Sequence, residues 1–245
     1  MRELLLFPAG LLISALFSSL GLGGGMLMVP LLLWSGLPIH AAIGTSLFAI
    51  TVLSCSATIA YALQKCIDYR VGLLLDTLDI PGAIAGTYLT TLISSRPLSL
   101  AFSALLLLSS LRLLTRKGEG TLGPMPPGPK LVATVLAGSF ASGLVSGMFG
   151  IGGGIVDELV MLLVLGMSIK ISAGTCMFGM SLTMTAAFLS HFSLGNFSPS
   201  HALPLALGCA AGGPIGAWIS LRAPARKLQK MLGIVGVGVG IRMLL

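Results

Sequence analysis

The sequence predicts an all-α polytopic membrane protein with two inverted-topology repeats, glycine-broken half-helices and about eight to ten membrane segments. Three observations lead to this fold class. Of the 245 residues, 55% are hydrophobic and 9% are charged, with mean hydropathy +1.02, against about 25% charged residues in soluble domains. The apolar residues form stretches of helix length. Two glycine clusters also lie at matching places in the two halves of the chain.

Each half contains five apolar stretches in the same order. In the first half they cover about residues 4–20, 26–37, 41–63, 71–93 and 98–114. In the second half they cover about residues 131–149, 155–167, 171–192, 202–221 and 228–245. Most of these stretches approach or exceed the length of a membrane-crossing helix. The second stretch of each half, at roughly 12 residues and 1.5 Å per residue, is too short for a ~30 Å hydrocarbon core, so we expect a half-helix there.

The two halves repeat one pattern of glycines. The cluster Gly23 to Gly25 precedes Gly152 to Gly154 by 129 positions, and Gly44-Thr45 precedes Gly174-Thr175 by 130. The chain therefore consists of two copies of one repeat unit. Repeated apolar segments interrupted by glycine indicate the substrate site of a secondary transporter, where broken helices of two repeats meet near the bilayer midplane.

Basic residues predict how the halves are oriented. Lys65 and Arg70 lie between the third and fourth stretches of the first half, where residues 193–201 of the second half have no Lys or Arg. After the fourth stretch the imbalance reverses, because Arg96 stands alone against four basic residues between 222 and 230. Since Lys and Arg concentrate on the cytoplasmic side, we expect opposite orientations and both termini outside. The predicted domains are residues 1–120, a Pro/Gly-rich cytoplasmic linker of residues 121–129, and an inverted repeat of residues 130–245.

The paired motifs resemble the TauE/SafE family of sulfite and organosulfonate exporters. The first half reads Gly21-Leu22-Gly23-Gly24-Gly25 and then Ala42-Ile43-Gly44-Thr45-Ser46. The second half repeats these motifs as Gly150 to Gly154 and Ala173-Gly174-Thr175-Cys176. The resemblance covers nearly the whole chain. It implies transport of a small sulfur-containing anion such as sulfite, thiosulfate or a small organosulfonate.

The halves also differ at two places within this pattern. Asp157-Glu158-Leu159 stands where the first half has Met28-Val29-Pro30. Cys176 replaces the serine of the other half, Ser46. A thiol suits recognition of a sulfur atom, but it is also a small apolar residue that packs in a core.

Main-chain groups at the glycine clusters are the candidate anion ligands. Free N–H groups and the positive dipole at a helix N-terminus favour an anion, and glycine allows the backbone to approach it closely. Alternatively, the glycines serve helix packing alone. Side chains at the start of the next long helix either cap that helix or donate to the substrate. The candidate binding residues are Gly23, Gly24, Gly25, Thr45, Ser46, Gly152, Gly153, Gly154, Thr175 and Cys176.

Four acidic residues lie inside apolar stretches, namely Asp76, Asp79, Asp157 and Glu158. A charge there costs about 2.5 to 3.5 kcal/mol on insertion scales unless it is protonated or paired. They are candidates for proton coupling of the transport cycle. The structural alternative places Asp157 at the positive end of a helix dipole.

Three other functions compete with alternating-access transport. An anion channel could use the same half-helices. An intramembrane serine protease would need Ser146 or Ser46 paired with His191 or His40 as base. A membrane scaffold would leave the glycines and acids purely structural.

Other partners follow from composition. The four cysteines have neither metal-ligand spacing nor a disulfide framework, so we expect no metal, no cofactor and no disulfide. The net charge of +7 is scattered over connections, which indicates membrane lipids rather than nucleic acid.

The first apolar run continues into a glycine cluster, so we expect a retained segment rather than a cleaved signal peptide. The expected location is the cytoplasmic (inner) membrane, with a homodimer left open.

Overall fold

The computed structural model describes residues 5–115, 128–222 and 225–244, and these form ten α-helices and one π-helical segment, with no strand among them. Most of the predicted linker, residues 121–127, lies outside this part. The helices are α1 (Leu6–Ser18), α2 (Gly25–Trp34), α3 (Ile39–Leu63), α4 (Tyr69–Thr91), α5 (Ser95–Thr115), α6 (Pro129–Phe149), α7 (Gly154–Leu159, continued by the π-helical Val160–Val164), α8 (Ile169–Ser193), α9 (Pro199–Arg222) and α10 (Ala225–Leu244).

The helices follow the predicted apolar stretches in order, which confirms the all-helical polytopic fold. Among the described residues, α3, α6, α8 and α9 are each long and apolar enough to cross a membrane. Shorter apolar helices are α1, α2 and the part of α5 that covers Ser95–Leu111. The chain is therefore a multi-pass membrane protein.

The two short stretches form short helices, as predicted. Helix α2 has 10 residues and begins after Gly24, whose φ of +88° belongs to the left-handed region that glycine adopts without steric cost. Helix α7 has six residues before the backbone changes to the π-helical segment. In each half, the chain therefore breaks at the glycine cluster and starts a new, short helix.

Contacts within each half repeat with the sequence offset. The Tyr61 hydroxyl donates to the carbonyl oxygen of Ser18 at 2.8 Å, which joins α3 to α1. The residues 130 and 129 positions later make the matching contact, with His191 Nε2 of α8 2.9 Å from the carbonyl oxygen of Gly147 of α6. Helix α1 therefore stands to α3 as α6 stands to α8.

Glycines allow these helix pairs to approach closely. A Cβ atom on Gly82 or Gly86 of α4 would collide with the backbone of α6, at Phe140 and at Leu144. A Cβ atom on the equivalent Gly212 or Gly216 of α9 would collide with the backbone of α1. Small residues that bring backbones together are the common means of helix association in membranes.

Two hydrogen bonds fix which helix ends are neighbours. The Thr45 hydroxyl oxygen accepts from the N–H of Ser198 at 3.1 Å, so α3 and α9 begin side by side. The Thr175 hydroxyl oxygen accepts from the N–H of Asp68 at 2.9 Å, so α8 and α4 begin side by side. We call these the α3 end and the α4 end of the bundle. They are opposite ends, because α3 runs from the first to the short connection, residues 64–68, that leads into α4.

Candidate functional site

The two glycine turns, residues 21–25 and 150–154, pack against each other between the two ends of the bundle. A Cβ atom on Gly23 would lie 3.4 Å from the Cα atom of Gly152. A Cβ atom on Gly25 would collide with the carbonyl oxygen of Gly150, and one on Gly154 with that of Gly21. Both turns are fully buried. The structure thus brings the two predicted clusters together, with backbone against backbone.

The four predicted hydroxyl and thiol residues are buried beside these turns. Ser46 Oγ donates to the carbonyl oxygen of Gly150 at 3.1 Å, and Cys176 Sγ lies 3.9 Å from that of Gly154. Thr45 and Thr175 accept the N–H groups at the starts of α9 and α4. All four therefore have a structural role, and their contact with a substrate stays a prediction.

Apolar side chains surround the start of α2. The position of a Cβ atom on Gly24 lies 3.1 Å from Met28 Cε, 3.4 Å from Ile13 Cγ2 and 3.5 Å from Phe17 Cβ. The first N–H groups of any helix lack an acceptor within that helix. The three atoms nearest to Gly24 are thus all apolar, while the carbonyl oxygen of Gly150 lies against the neighbouring Gly25.

Polar side chains surround the start of α7 instead. The position of a Cβ atom on Gly153 lies 2.9 Å from Asp157 Oδ2 and 3.6 Å from Asp79 Oδ1, and would collide with Ser142 Oγ. Ser142 Oγ also donates to the carbonyl oxygen of Gly153 at 2.9 Å. Asp157 lies in the first turn of α7, where the helix dipole favours a carboxylate.

Asp76 extends this polar region along α4. Thr183 of α8 donates to Asp76 Oδ1 at 3.0 Å, and Thr183 and Ser142 both lie beside Asp79. Sequence reasoning missed these two hydroxyl residues. Serine and threonine recur in most of the long helices, so no signal singled out these two, and only the general need of a buried acid for a donor applied.

All four predicted acids are buried, with at most 6% of their surface exposed. Asp76 Oδ2, Asp79 Oδ1 and Asp157 Oδ1 have no hydrogen-bond partner. No lysine or arginine is among the described groups that interact with Asp79 or Asp157. The structure therefore groups the carboxyl groups of Asp79 and Asp157 on one side of the two glycine turns.

The serine–histidine pairs of the protease alternative do not form among the described residues. Ser146 Oγ donates to Met184 Sδ at 3.2 Å, while His191 bonds the Gly147 carbonyl oxygen. Ser46 bonds Gly150, and His40 Nε2 lies 3.2 Å from the carbonyl oxygen of Thr90. This geometry gives the protease alternative no support.

A bundle of membrane-spanning helices, in which two helices broken at glycine turns meet between the ends of the bundle, is typical of membrane transporters. The model of the family described as Sulfite exporter TauE/SafE matches residues 6–243, and the chain belongs to this family of membrane transporters.

The chain is also similar along its length to curated relatives. It is 28% identical to "Probable membrane transporter protein YunE" of Bacillus subtilis (strain 168), covering 100% of this chain and 98% of that protein. It is 27% identical to "Probable membrane transporter protein MJ0441" of Methanocaldococcus jannaschii, covering 98% and 95%. It is 29% identical to "Probable membrane transporter protein YdhB" of Bacillus subtilis (strain 168), covering 68% and 69%. No solved structure matches the chain.

Proposed function

We propose that this protein is a secondary transporter, without enzymatic activity, that moves a small sulfur-containing anion across the cytoplasmic membrane by alternating access. The observation that carries the proposal is the contact between the two glycine turns. Each turn starts a short helix, and each belongs to a different half of the chain. The family description names a sulfite exporter, which supports sulfite, thiosulfate or a small organosulfonate as substrate.

We propose that the anion binds near the start of α2. The N–H groups at this start are free of intrahelical acceptors and lie at the positive end of the helix dipole. Only apolar side chains border Gly24 there. The start of α7 has two carboxylates beside Gly153, so it suits an anion less well. Gly152, Gly153 and Gly154 then contribute backbone that closes the site from the other half.

Alternating access requires two halves that can rock against each other, and the helix directions support this. Helices α3 and α8 begin at opposite ends of the bundle. The close glycine contacts of α9 with α1 repeat in those of α4 with α6. These relations support inverted repeats, in which a movement that opens one end has a symmetric counterpart that opens the other.

The basic residues support a membrane orientation. The α4 end carries Lys65, Arg70, Lys130, Lys170 and Arg222. Because Lys and Arg concentrate in cytoplasmic connections, we propose that the α4 end is cytoplasmic. Helix α1 then begins on the outer side.

Coupling of the cycle to protons is part of this proposal, with Asp76, Asp79, Asp157 and Glu158 as the candidate residues. Their burial supports it, since an ionisable residue at membrane depth is a functional-site hypothesis by default.

The test is counterflow in proteoliposomes. Purified protein is reconstituted with labelled sulfite, thiosulfate or a small sulfonate, with chloride and sulfate as controls. Saturable exchange of one sulfur-containing anion is the expected result. Flux that does not saturate and needs no anion on the opposite side would indicate a channel. No flux from folded protein would favour the scaffold.

A matched pair of variants tests the position of the anion. Gly24→Leu introduces a side chain beside the start of α2 and should abolish exchange. Gly36→Leu is the control, because Gly36 is also left-handed, with φ of +105°, and a Cβ atom there meets nothing within 4 Å. Exchange that survives Gly24→Leu in folded protein would exclude this position.

A further inference from the structure

Oxygen atoms from three helices converge beside Gly153. They are Asp79 Oδ1 of α4, Ser142 Oγ of α6 and Asp157 Oδ2 of α7, all grouped around the position that a Cβ atom of Gly153 would occupy. The distances from that position are 3.6 Å to Asp79 and 2.9 Å to Asp157. Gly153 has an ordinary helical backbone, with φ of −61°. The backbone therefore does not require glycine there, and what excludes a side chain is the closeness of the surrounding oxygen atoms.

These oxygens include buried acceptors without donors. Asp79 is 2% exposed and Asp157 is 6% exposed. Asp79 Oδ1, which points toward the space beside Gly153, has no hydrogen-bond partner, and neither does Asp157 Oδ1. A buried acceptor without a partner costs about 1 to 3 kcal/mol, and more when it is charged. The group is therefore incomplete without a positively charged ligand.

The fold does not require these side chains. At the sequence offset of the repeat, the counterparts of Asp79, Ser142 and Asp157 are Cys209, Ile13 and Met28. All of these counterparts are apolar or weakly polar, yet the same helices pack in the same way around them. Structural need thus explains the glycine turn, but it does not explain the convergent oxygens.

We propose that the space beside Gly153 is a binding site for one small monovalent cation, H⁺ or Na⁺, held by Asp79, Asp157 and Ser142. The inference rests on the proposed transport function, in which this cation crosses with the anion bound at the start of α2. The described His, Cys, Asp and Glu side chains form no group of three or more that could hold a metal ion. Two carboxylates and a hydroxyl offer fewer oxygen ligands than the about six to eight that Ca²⁺ takes, so they suit a small monovalent ion better.

Other titratable groups also face this site. Asp76 on α4 and Cys176 on α8 lie close enough to interact electrostatically with Asp157, and Glu158 is close to Cys176. Helix α6 contributes the hydroxyl of Ser142. Because all of these groups are acidic or neutral, a bound cation lowers the electrostatic repulsion among them.

The first experiment measures cation binding without transport. The melting temperature of the purified protein in detergent is followed as Na⁺ replaces K⁺ at fixed pH, and separately as pH falls without Na⁺. A cation that binds the folded state raises Tm as its concentration rises. We expect a Tm rise with one of the two ions in the wild type, and a smaller rise or none in Asp79→Asn and Gly153→Ala.

The controls separate a bound ion from a general salt or pH effect. Asp68→Asn changes an acid at the start of α4, the helix that also carries Asp79. Asp68 caps α4 by accepting hydrogen bonds from the N–H groups of Arg70 and Val71. Gly238→Ala adds a methyl group where nothing lies within 4 Å. Both should respond like the wild type. The site would be overturned if the wild type shows no ion response, or if Gly153→Ala and Asp79→Asn respond as strongly as the wild type.

The second experiment measures coupling in proteoliposomes. An inward proton gradient or an inward Na⁺ gradient is imposed, and both net accumulation and equal exchange of the labelled anion are recorded. We expect one gradient to drive accumulation in the wild type and the Asp79→Asn protein to lose accumulation while it keeps exchange. Exchange without accumulation under either gradient would overturn the cation site and leave the transporter intact. A Tm response to the ion without any exchange would instead overturn the proposed function.

Discussion

The two glycine turns share a backbone and differ in the side chains around it. Gly25 and Gly154 each fit against a carbonyl oxygen of the opposite turn. Yet Gly24 borders Met28, Ile13 and Phe17, whereas Gly153 borders Ser142, Asp157 and Asp79. The difference separates two requirements. The crossing of the turns needs glycine in both halves, while the acidic side chains lie beside only one of the turns.

The largest expected effect on stability comes from placing an acid at position 28, the counterpart of Asp157 in the first half. Met28 lies beside Gly24, at the proposed anion site, so Asp at position 28 would add a negative charge to that site as well as bury a carboxylate, at a cost of about 2.5 to 3.5 kcal/mol on insertion scales. At position 157 the side chain already lies among polar atoms of Ser142 and Asp79. We therefore expect Met28→Asp to be far less stable than Met28→Asn, but wild-type Asp157 to be similar in stability to Asp157→Asn.

The comparison with asparagine isolates charge from volume, because Asn and Asp have nearly the same shape. Thermal unfolding of the four proteins in one detergent, at one pH, gives the two differences. Equal Asp-to-Asn differences at the two positions would mean that the polar groups around Gly153 do not adapt that region to charge.

Sequence alone predicted the backbone of this site better than its side chains. The offset between Gly23 to Gly25 and Gly152 to Gly154 predicted two breaks that belong together, because glycine at a helix break leaves a strong local signal. The short helices followed from length. That the two turns touch depends on tertiary packing, which no local pattern encodes.

The acids show where sequence reasoning ends. Burial of Asp79 and Asp157 followed from their place in apolar stretches, but their convergence on Gly153 joins α4 with α7, across 78 residues of sequence. Ser142 and Thr183 carried no signal, because a hydroxyl in a membrane helix ordinarily bonds a carbonyl of its own helix. Thr51 and Thr185 do so here.

The next prediction tests whether the backbone contact between the two turns contributes equally to stability from both halves. Gly25→Ala and Gly154→Ala each place a methyl group against the backbone of the opposite turn. Overpacking of this kind costs about 1 to 3 kcal/mol. We expect both variants to lose Tm by similar amounts, while Gly238→Ala keeps the wild-type Tm. A loss confined to one of the two would show that the turns differ in packing as well as in charge.

The smallest effect concerns the hydrogen bonds at the two ends of the bundle. Thr45→Val and Thr175→Val each remove the acceptor of one buried N–H group, at Ser198 and at Asp68. Because the two bonds are equivalent in the repeat, we expect each variant to lose about 1 kcal/mol of stability.

Controls for this pair lie on the same two helices. Thr51→Val on α3 and Thr185→Val on α8 remove hydroxyls that donate only within their own helix, so their loss of Tm should be smaller. If Thr45→Val and Thr175→Val differ from each other by as much as they differ from these controls, the equivalence of the two ends fails. If they agree, the repeat extends from the central turns to both ends, and the polar group beside Gly153 is where the halves depart from it.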